Sequence, residues 1–141
     1  MSPEKKTILF ICTHNSARSQ MAEGLVNRLY GDTYDAFSAG TKPTAVNPYA
    51  IKVMAEIDID ISRHRAKNIE EFRNTTFDYV VTICDNARET CPFFPGAKKY
   101  LHKGFTDPST ANGSSTVALA TFRKLRNEIE IYIKEIFGKE Q

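Results

Sequence analysis

An apolar run with no polar alternation, TILFI (7–11), passes through a short polar loop into a segment of helical period, SQMAEGLVNRLY (19–30). The first reads as a strand buried on both faces. The second places Met21, Ala22, Leu25, Val26 and Leu29 on one stripe. The alternation then repeats. YDAFSAG (34–40) reads as a second strand ending at Gly40. Pro48 opens a second helix with Ile51, Val53, Met54 and Ile57 as its apolar positions. Residues 62–73 read as a loop with a short helix. FDYVVTIC (77–84) is a strand rich in β-branched and aromatic residues. AKKYLHKGF (97–105) carries a weaker fourth strand. A last helix over 114–137 repeats Ala118, Phe122, Leu125, Ile129, Ile133 and Ile136 at steps of three and four, with Ser114 or Ser115 as its cap.

Strands that alternate with helices require right-handed crossovers. The expected fold is therefore α/β: one domain over residues 1–141, a four-stranded parallel sheet with helices on both faces. No repeat or linker interrupts the pattern. Such sheets bind ligands at the carboxyl ends of their strands. Cys12 ends the first strand and Cys84 the third, so both are expected near one rim.

Composition narrows the class. A chain of 141 residues, 41% hydrophobic and 26% charged, supports one ordinary core. A net charge of +2 is too small to argue for nucleic acid or membrane partners. No apolar run approaches the ~18–20 residues of a membrane span. The N-terminal apolar stretch is too short for a signal peptide, so a cytoplasmic location is expected. Three cysteines, Cys12, Cys84 and Cys91, are an odd number and argue against a structural disulfide framework. Each alone is most often a small buried hydrophobe. His14, His64 and His102 form no metal-ligand spacing with Cys12, and no metal site is expected.

The loop between the first strand and first helix spells C-T-H-N-S-A-R, Cys12 to Arg18. A tight loop at a helix N-terminus turns backbone N–H groups inward as an anion nest, here over Thr13, His14, Asn15, Ser16, Ala17 and Arg18. Asn15 suits a left-handed turn position. Arg18 offers a planar fork for two oxygens of a tetrahedral oxyanion. The same field favours thiolate at Cys12, and a Ser19 hydroxyl aimed at the sulfur adds to it. These residue types fit nucleophilic attack on a phosphate-like anion.

The segment FICTHNSARSQMAEG resembles the phosphate-binding loop of low-molecular-weight protein tyrosine phosphatases and, more closely, of thioredoxin-coupled arsenate reductases. The likeness continues through SAG (38–40), VNPYAI (46–51), DIDIS (58–62), VVTICDNARETCP (80–92) and GFTDP (104–108). It implies that Cys12 attacks arsenate with Asp107 as general acid. Cys84 then attacks Cys12, releasing arsenite, and Cys91 attacks Cys84. Reduced thioredoxin recycles the final disulfide, with no tightly bound cofactor. Phosphate and sulfate would compete with arsenate, and a monomer is expected. Without the resemblance, Asp107 reads as a turn residue before Pro108 or as an extended residue aimed into the rim.

The alternative is a phosphatase hydrolysing phosphate monoesters, which needs only Cys12, Arg18, Ser19 and Asp107. Many such enzymes place a tyrosine after the Asp-Pro pair, where this chain has Ser109. Other departures from the family are His14 where glycine is frequent, Ala17 where some relatives have cysteine, and Thr106 where a second acid is frequent. Some relatives hold potassium with residues matching Asn15, Glu23, Ser38 and an aspartate. Lys67 stands at that last position, which predicts that potassium is not needed. Finally, a helix over 84–91 would separate the two thiols by roughly 10 Å of rise, too far for a disulfide. The segment is therefore expected to be helical or compact when reduced and to loop out on oxidation.

Overall fold

The structure is a computed structural model and describes residues 5–85, 93–108 and 114–138. Strands β1 (Lys6–Cys12), β2 (Tyr34–Gly40), β3 (Phe77–Thr82) and β4 (Ala97–His102) form one sheet, in the order β2-β1-β3-β4. Every neighbouring pair is parallel. The helices are α1 (Arg18–Leu29), α2 (Pro48–Ala55) and α3 (Ser115–Ile136), with a short 3₁₀ turn over Ile69–Phe72.

Strand alternation divides the core. Ile8, Phe10 and Cys12 face one side, together with Met21 and Leu25 of α1, Val53 and Met54 of α2, and Phe122 and Ile133 of α3. Leu9 and Ile11 face the other, where Phe77, Val80 and Phe94 gather with Ile69 and Phe72 of the 3₁₀ turn. Helical segments thus flank both faces as expected, but unequally. Among the described residues, the three α-helices lie on one side and a single short turn on the other. Because β1 is central and buried on both sides, it reads as the uninterrupted apolar run from which the sequence argument began.

Element ends follow local chemistry. Asn47 caps α2 by accepting from the Tyr49 N–H at 2.8 Å, and Pro48 occupies the first helical position. The Ser114 side chain caps α3. Helix α2 stops at Ala55, so Ile57 belongs to the turn after it. Strand β3 ends at Thr82, short of Cys84, because its partner β1 runs out of chain at Cys12. Strand β4 ends at His102, yet its continuation still bonds to the end of β3. The Lys103 N–H donates to the Thr82 carbonyl at 3.0 Å, and that of Phe105 to the Ile83 carbonyl at 3.3 Å. These bonds bring 105–108 back over the carboxyl rim. Buried Arg126 ties α3 to α2, donating to the Val53 carbonyl at 2.7 Å and pairing with Glu56 at 2.9 Å. Among the described residues, no helix is long and apolar enough to cross a membrane.

Candidate active site

The site forms at the carboxyl end of β1. Strand β1 connects to β2 on one side, and β2 then returns across it to β3 on the other. A crevice opens at such a reversal. The loop after Cys12 is held from outside by the chain that follows β2. The carbonyls of Thr13, His14 and Ser16 accept from the N–H groups of Lys42, Thr44 and Asn47, at 2.9, 3.2 and 2.9 Å. A trans peptide points its N–H opposite its carbonyl. Anchoring these three carbonyls therefore turns the N–H groups of His14, Asn15 and Ala17 to the inner side of the loop, the arrangement of an anion nest. Gly40 makes the close approach possible: a Cβ there would lie 2.4 Å from the Thr13 oxygen.

Asn15 sits at φ 48, the left-handed conformation anticipated for it, and is fully buried. Its contacts fix the polarity of a buried hydrogen-bond chain. The Lys67 backbone N–H can only donate, and it donates to Asn15 Oδ1 at 2.8 Å. Asn15 Nδ2 therefore faces Ser19 and donates to its Oγ at 2.7 Å. The Ser19 hydroxyl in turn lies 2.9 Å from Cys12 Sγ, within hydrogen-bond distance of it. Behind Asn15, Gln20 Nε2 donates to Asn15 Oδ1 and to the Arg65 carbonyl, each at 2.9 Å. Its Oε1 thus accepts from His64 Nδ1 at 2.9 Å. Glu23 closes the network. It accepts from Ser38 Oγ at 2.7 Å and lies 3.7 Å from the Lys67 ammonium.

In front of the loop is a cavity of about 320 Å³. Cys12, His14, Ser16, Ala17 and Arg18 line it from the loop side, and Thr44, Asn47 and Asp107 face them. The Arg18 side chain is buried. Its Nη1 donates to the Phe105 carbonyl at 3.2 Å, and its Nη2 stands 3.7 Å from Asp107 Oδ2. His14 Nδ1 donates to the Lys42 carbonyl at 3.2 Å, so that ring nitrogen carries the proton. Helix α1 begins at Arg18 with no side-chain cap, leaving its N-terminus as an electrostatic contribution to an anion in the cavity.

The structure thus brings Cys12, Arg18, Ser19 and Asp107 together. Of the six residues expected to bind the oxyanion, His14, Ser16, Ala17 and Arg18 line the cavity; Thr13 and Asn15 are not in its wall, and Asn15 acts from behind. Cys84 is buried outside that wall, with its thiol directed at the Ile11 carbonyl at 3.9 Å. Cys12 and Cys84 are both thiols. Cys91 lies outside the described residues, as do Ser109 and most of the segment expected to loop out. Sequence reasoning missed Gln20, Thr44, Asn47 and the Phe105 carbonyl. The only available signal was the Asn-Pro pair at 47–48, which reads as a helix cap. Among the described residues, no group of three or more His, Cys, Asp or Glu is arranged to hold a metal ion.

This fold, with a cysteine and a buried arginine lining a pocket at the end of its first strand, is of the phosphatase type, and similarity to known proteins agrees. The model of the low molecular weight phosphotyrosine protein phosphatase family matches residues 7–140, and the chain belongs to that family. It is 45% identical over 130 residues to an arsenate reductase of Halalkalibacterium halodurans, covering 92% of this chain and 94% of that protein. Its fold superimposes on a crystal structure of arsenate reductase from Archaeoglobus fulgidus with a TM-score of 0.78. Identity there is 28%, with coverage of 93% of this chain and 98% of the other. A thioredoxin-dependent arsenate reductase of Corynebacterium glutamicum gives a TM-score of 0.71 at 26% identity, over 97% of this chain and 62% of that one.

Proposed function

We propose that this chain, acting as one domain, is an arsenate reductase that runs a three-thiol relay recycled by thioredoxin. The loop N–H groups, the α1 N-terminus and the Arg18 fork hold the arsenate oxygens. The Cys12 thiolate, supported by the Ser19 hydroxyl, attacks arsenic. Asp107 supplies the proton with which one oxygen leaves as water, giving a Cys12–arsenate thioester-like adduct. The Cys84 thiolate then attacks Cys12 Sγ. The sulfur–arsenic bond breaks with its electron pair remaining on arsenic, arsenite departs, and a Cys12–Cys84 disulfide is left. Attack of the Cys91 thiolate on Cys84 expels the Cys12 thiolate and moves the disulfide to Cys84–Cys91. Two electrons from the thioredoxin dithiol restore both thiols, and thioredoxin leaves as its own disulfide. Phosphate and sulfate, equal in shape to arsenate, compete for the cradle.

The observation that carries this reading over simple ester hydrolysis is the second thiol beside the first strand. Cys84 Sγ lies against the carbonyl of Ile11, the residue preceding the nucleophile. Ester hydrolysis has no use for a thiol there. The pocket itself suits a phosphatase equally well, and a phosphatase is the second reading.

The test supplies arsenate, thioredoxin, thioredoxin reductase and NADPH, and follows NADPH loss. Wild type is expected to turn over and Cys84→Ser to stop. No turnover in wild type, with p-nitrophenyl phosphate hydrolysed equally by both proteins, would overturn the reading in favour of the phosphatase.

A further inference from the structure

The thinly covered face of the sheet carries a feature that the oxyanion site does not use. Phe93 is 77% exposed and stacks on Tyr100 of β4, itself 44% exposed, with ring centroids 5.6 Å apart and planes at 27°. Neighbouring Phe94 is buried beneath and accepts the Tyr100 hydroxyl proton on its carbonyl. The pair stands between two open grooves. One, of about 410 Å³, has Val80 and Thr82 of β3 and His102 of β4 in its wall. The other, of about 240 Å³, runs along Ile69, Arg73 and Pro95. An exposed aromatic ridge between concavities is costly to leave in water and is the composition of an interaction hot spot.

Its position indicates the partner. Phe93 is two residues from Cys91, so covalent geometry keeps their Cα atoms within about 7 Å of each other. The larger groove has Thr82 in its wall, two residues before Cys84. Any protein that reduces a Cys84–Cys91 disulfide must bring its own thiol within bonding distance of these sulfurs, and its surrounding surface then lies on this ridge. Lys98, on the same face of β4 as Tyr100, and Arg73 border the patch while paired with Asp78 and Glu70.

We infer that the Phe93–Tyr100 ridge is the docking surface for the protein dithiol that reduces this enzyme, a partner with an apolar surface around its thiol. The inference rests on the arsenate reductase reading, and the experiment separates the two.

Three rates are measured in wild type, Phe93→Ala and the Phe93→Ala/Tyr100→Ala double variant. They are thioredoxin-driven turnover, dithiothreitol-driven turnover, and the stoichiometric arsenite burst from pre-reduced enzyme with no reductant present. Phe93→Ala is expected to raise the KM for thioredoxin by about 30-fold, the size of a hot-spot truncation. The burst and the dithiothreitol rate stay unchanged. An unchanged KM in the double variant overturns the inference. So does a burst or dithiothreitol rate that falls in parallel, or a wild-type dimer that Phe93→Ala dissociates, which would make the ridge a self-interface. No burst in wild type means that the arsenate reading itself has failed. A wild-type burst without thioredoxin turnover removes the protein dithiol, and the docking surface with it.

Discussion

Removing the Asn15 side chain tests the proposed origin of the loop geometry. Its amide donates to Ser19 and accepts from the Lys67 N–H and from Gln20, three buried bonds on one residue. At about 1 kcal/mol net per bond, their loss in Asn15→Ala costs about 3 kcal/mol. Alanine must also hold φ 48, a left-handed conformation that adds about 1 kcal/mol. Asn15→Gly loses the same bonds without that penalty. With a denaturant slope of about 2 kcal/mol per molar urea, the alanine variant should unfold about 2 M earlier than wild type, and the glycine variant about 1.5 M earlier. Both should lose the arsenite burst, because the Ser19 hydroxyl is then no longer oriented toward Cys12. The assay is urea unfolding by circular dichroism in reducing buffer, with the burst measured on the same preparations. A midpoint loss under about 0.5 M, or an alanine variant as stable as the glycine one, would refute the assignment of loop geometry to this residue.

Three further outcomes are expected. Gly40→Ala places a Cβ 2.4 Å from the Thr13 carbonyl and should weaken phosphate binding by about tenfold or more as the loop is pushed outward; isothermal titration reads it. Hydrogen bonds from Arg123, then Arg126, hold the Glu56 pKa down at about 2, so the α2–α3 tie contributes stability that is present above the unfolded carboxyl pKa and is lost as pH falls toward 2. The gap in urea midpoint between wild type and Glu56→Gln should therefore close between about pH 4.5 and 2. Lys67 stands 3.7 Å from Glu23 and supplies a positive charge at that acid, so replacing sodium by potassium in the turnover assay should leave the rate unchanged.

What could be read in advance depended on where the physics is local. Strands β1 and β2 were legible almost to the residue, β1 because burial on both faces leaves an unbroken apolar run, and β2 because its alternating segment closes on Gly40. Helix α3 was legible from its stripe, apart from Arg126, whose charge places it on the surface by pattern. Its burial depends on the Val53 carbonyl, 73 residues away. In the site, Cys12 and Arg18 were visible from the loop that joins a strand end to a helix start, and Asp107 through the family resemblance. The Phe105 carbonyl that steadies Arg18 was not, since any residue supplies a carbonyl and only the return of the chain along β3 puts this one there. Gly40 was read as a strand end, whereas its larger part is to leave room for the neighbouring loop.

The two described thiols impose one more requirement on the proposed relay. Ile11 pairs with Thr82, and the ladder continues with the Ile83 N–H donating to the Ile11 carbonyl at 2.9 Å. Cys12 therefore stands across from Ile83, and from ideal strand spacings its Cα lies about 6 Å from that of Cys84. That separation suits a disulfide. The directions do not, because Cys12 and Ile83 share the helix-covered face, and alternation sends the next residue to the other. Bringing the sulfurs together requires the chain after Thr82 to rotate, which breaks the Ile83–Ile11 bond and the Phe105–Ile83 bond beside it. Phe105 also supplies the carbonyl that holds Arg18, so disulfide formation should loosen the anion's arginine clamp at the moment arsenite must leave. In a Cys91→Ser variant trapped as the Cys12–Cys84 disulfide, amide exchange at Ile83 and Phe105 should quicken by about tenfold or more relative to the reduced form, the effect of removing about 1.4 kcal/mol of protection. Phosphate affinity should fall with it. Equal exchange at both amides in the two states would show that the sulfurs meet without disturbing the strand end, and the coupling to Arg18 would then have no physical basis.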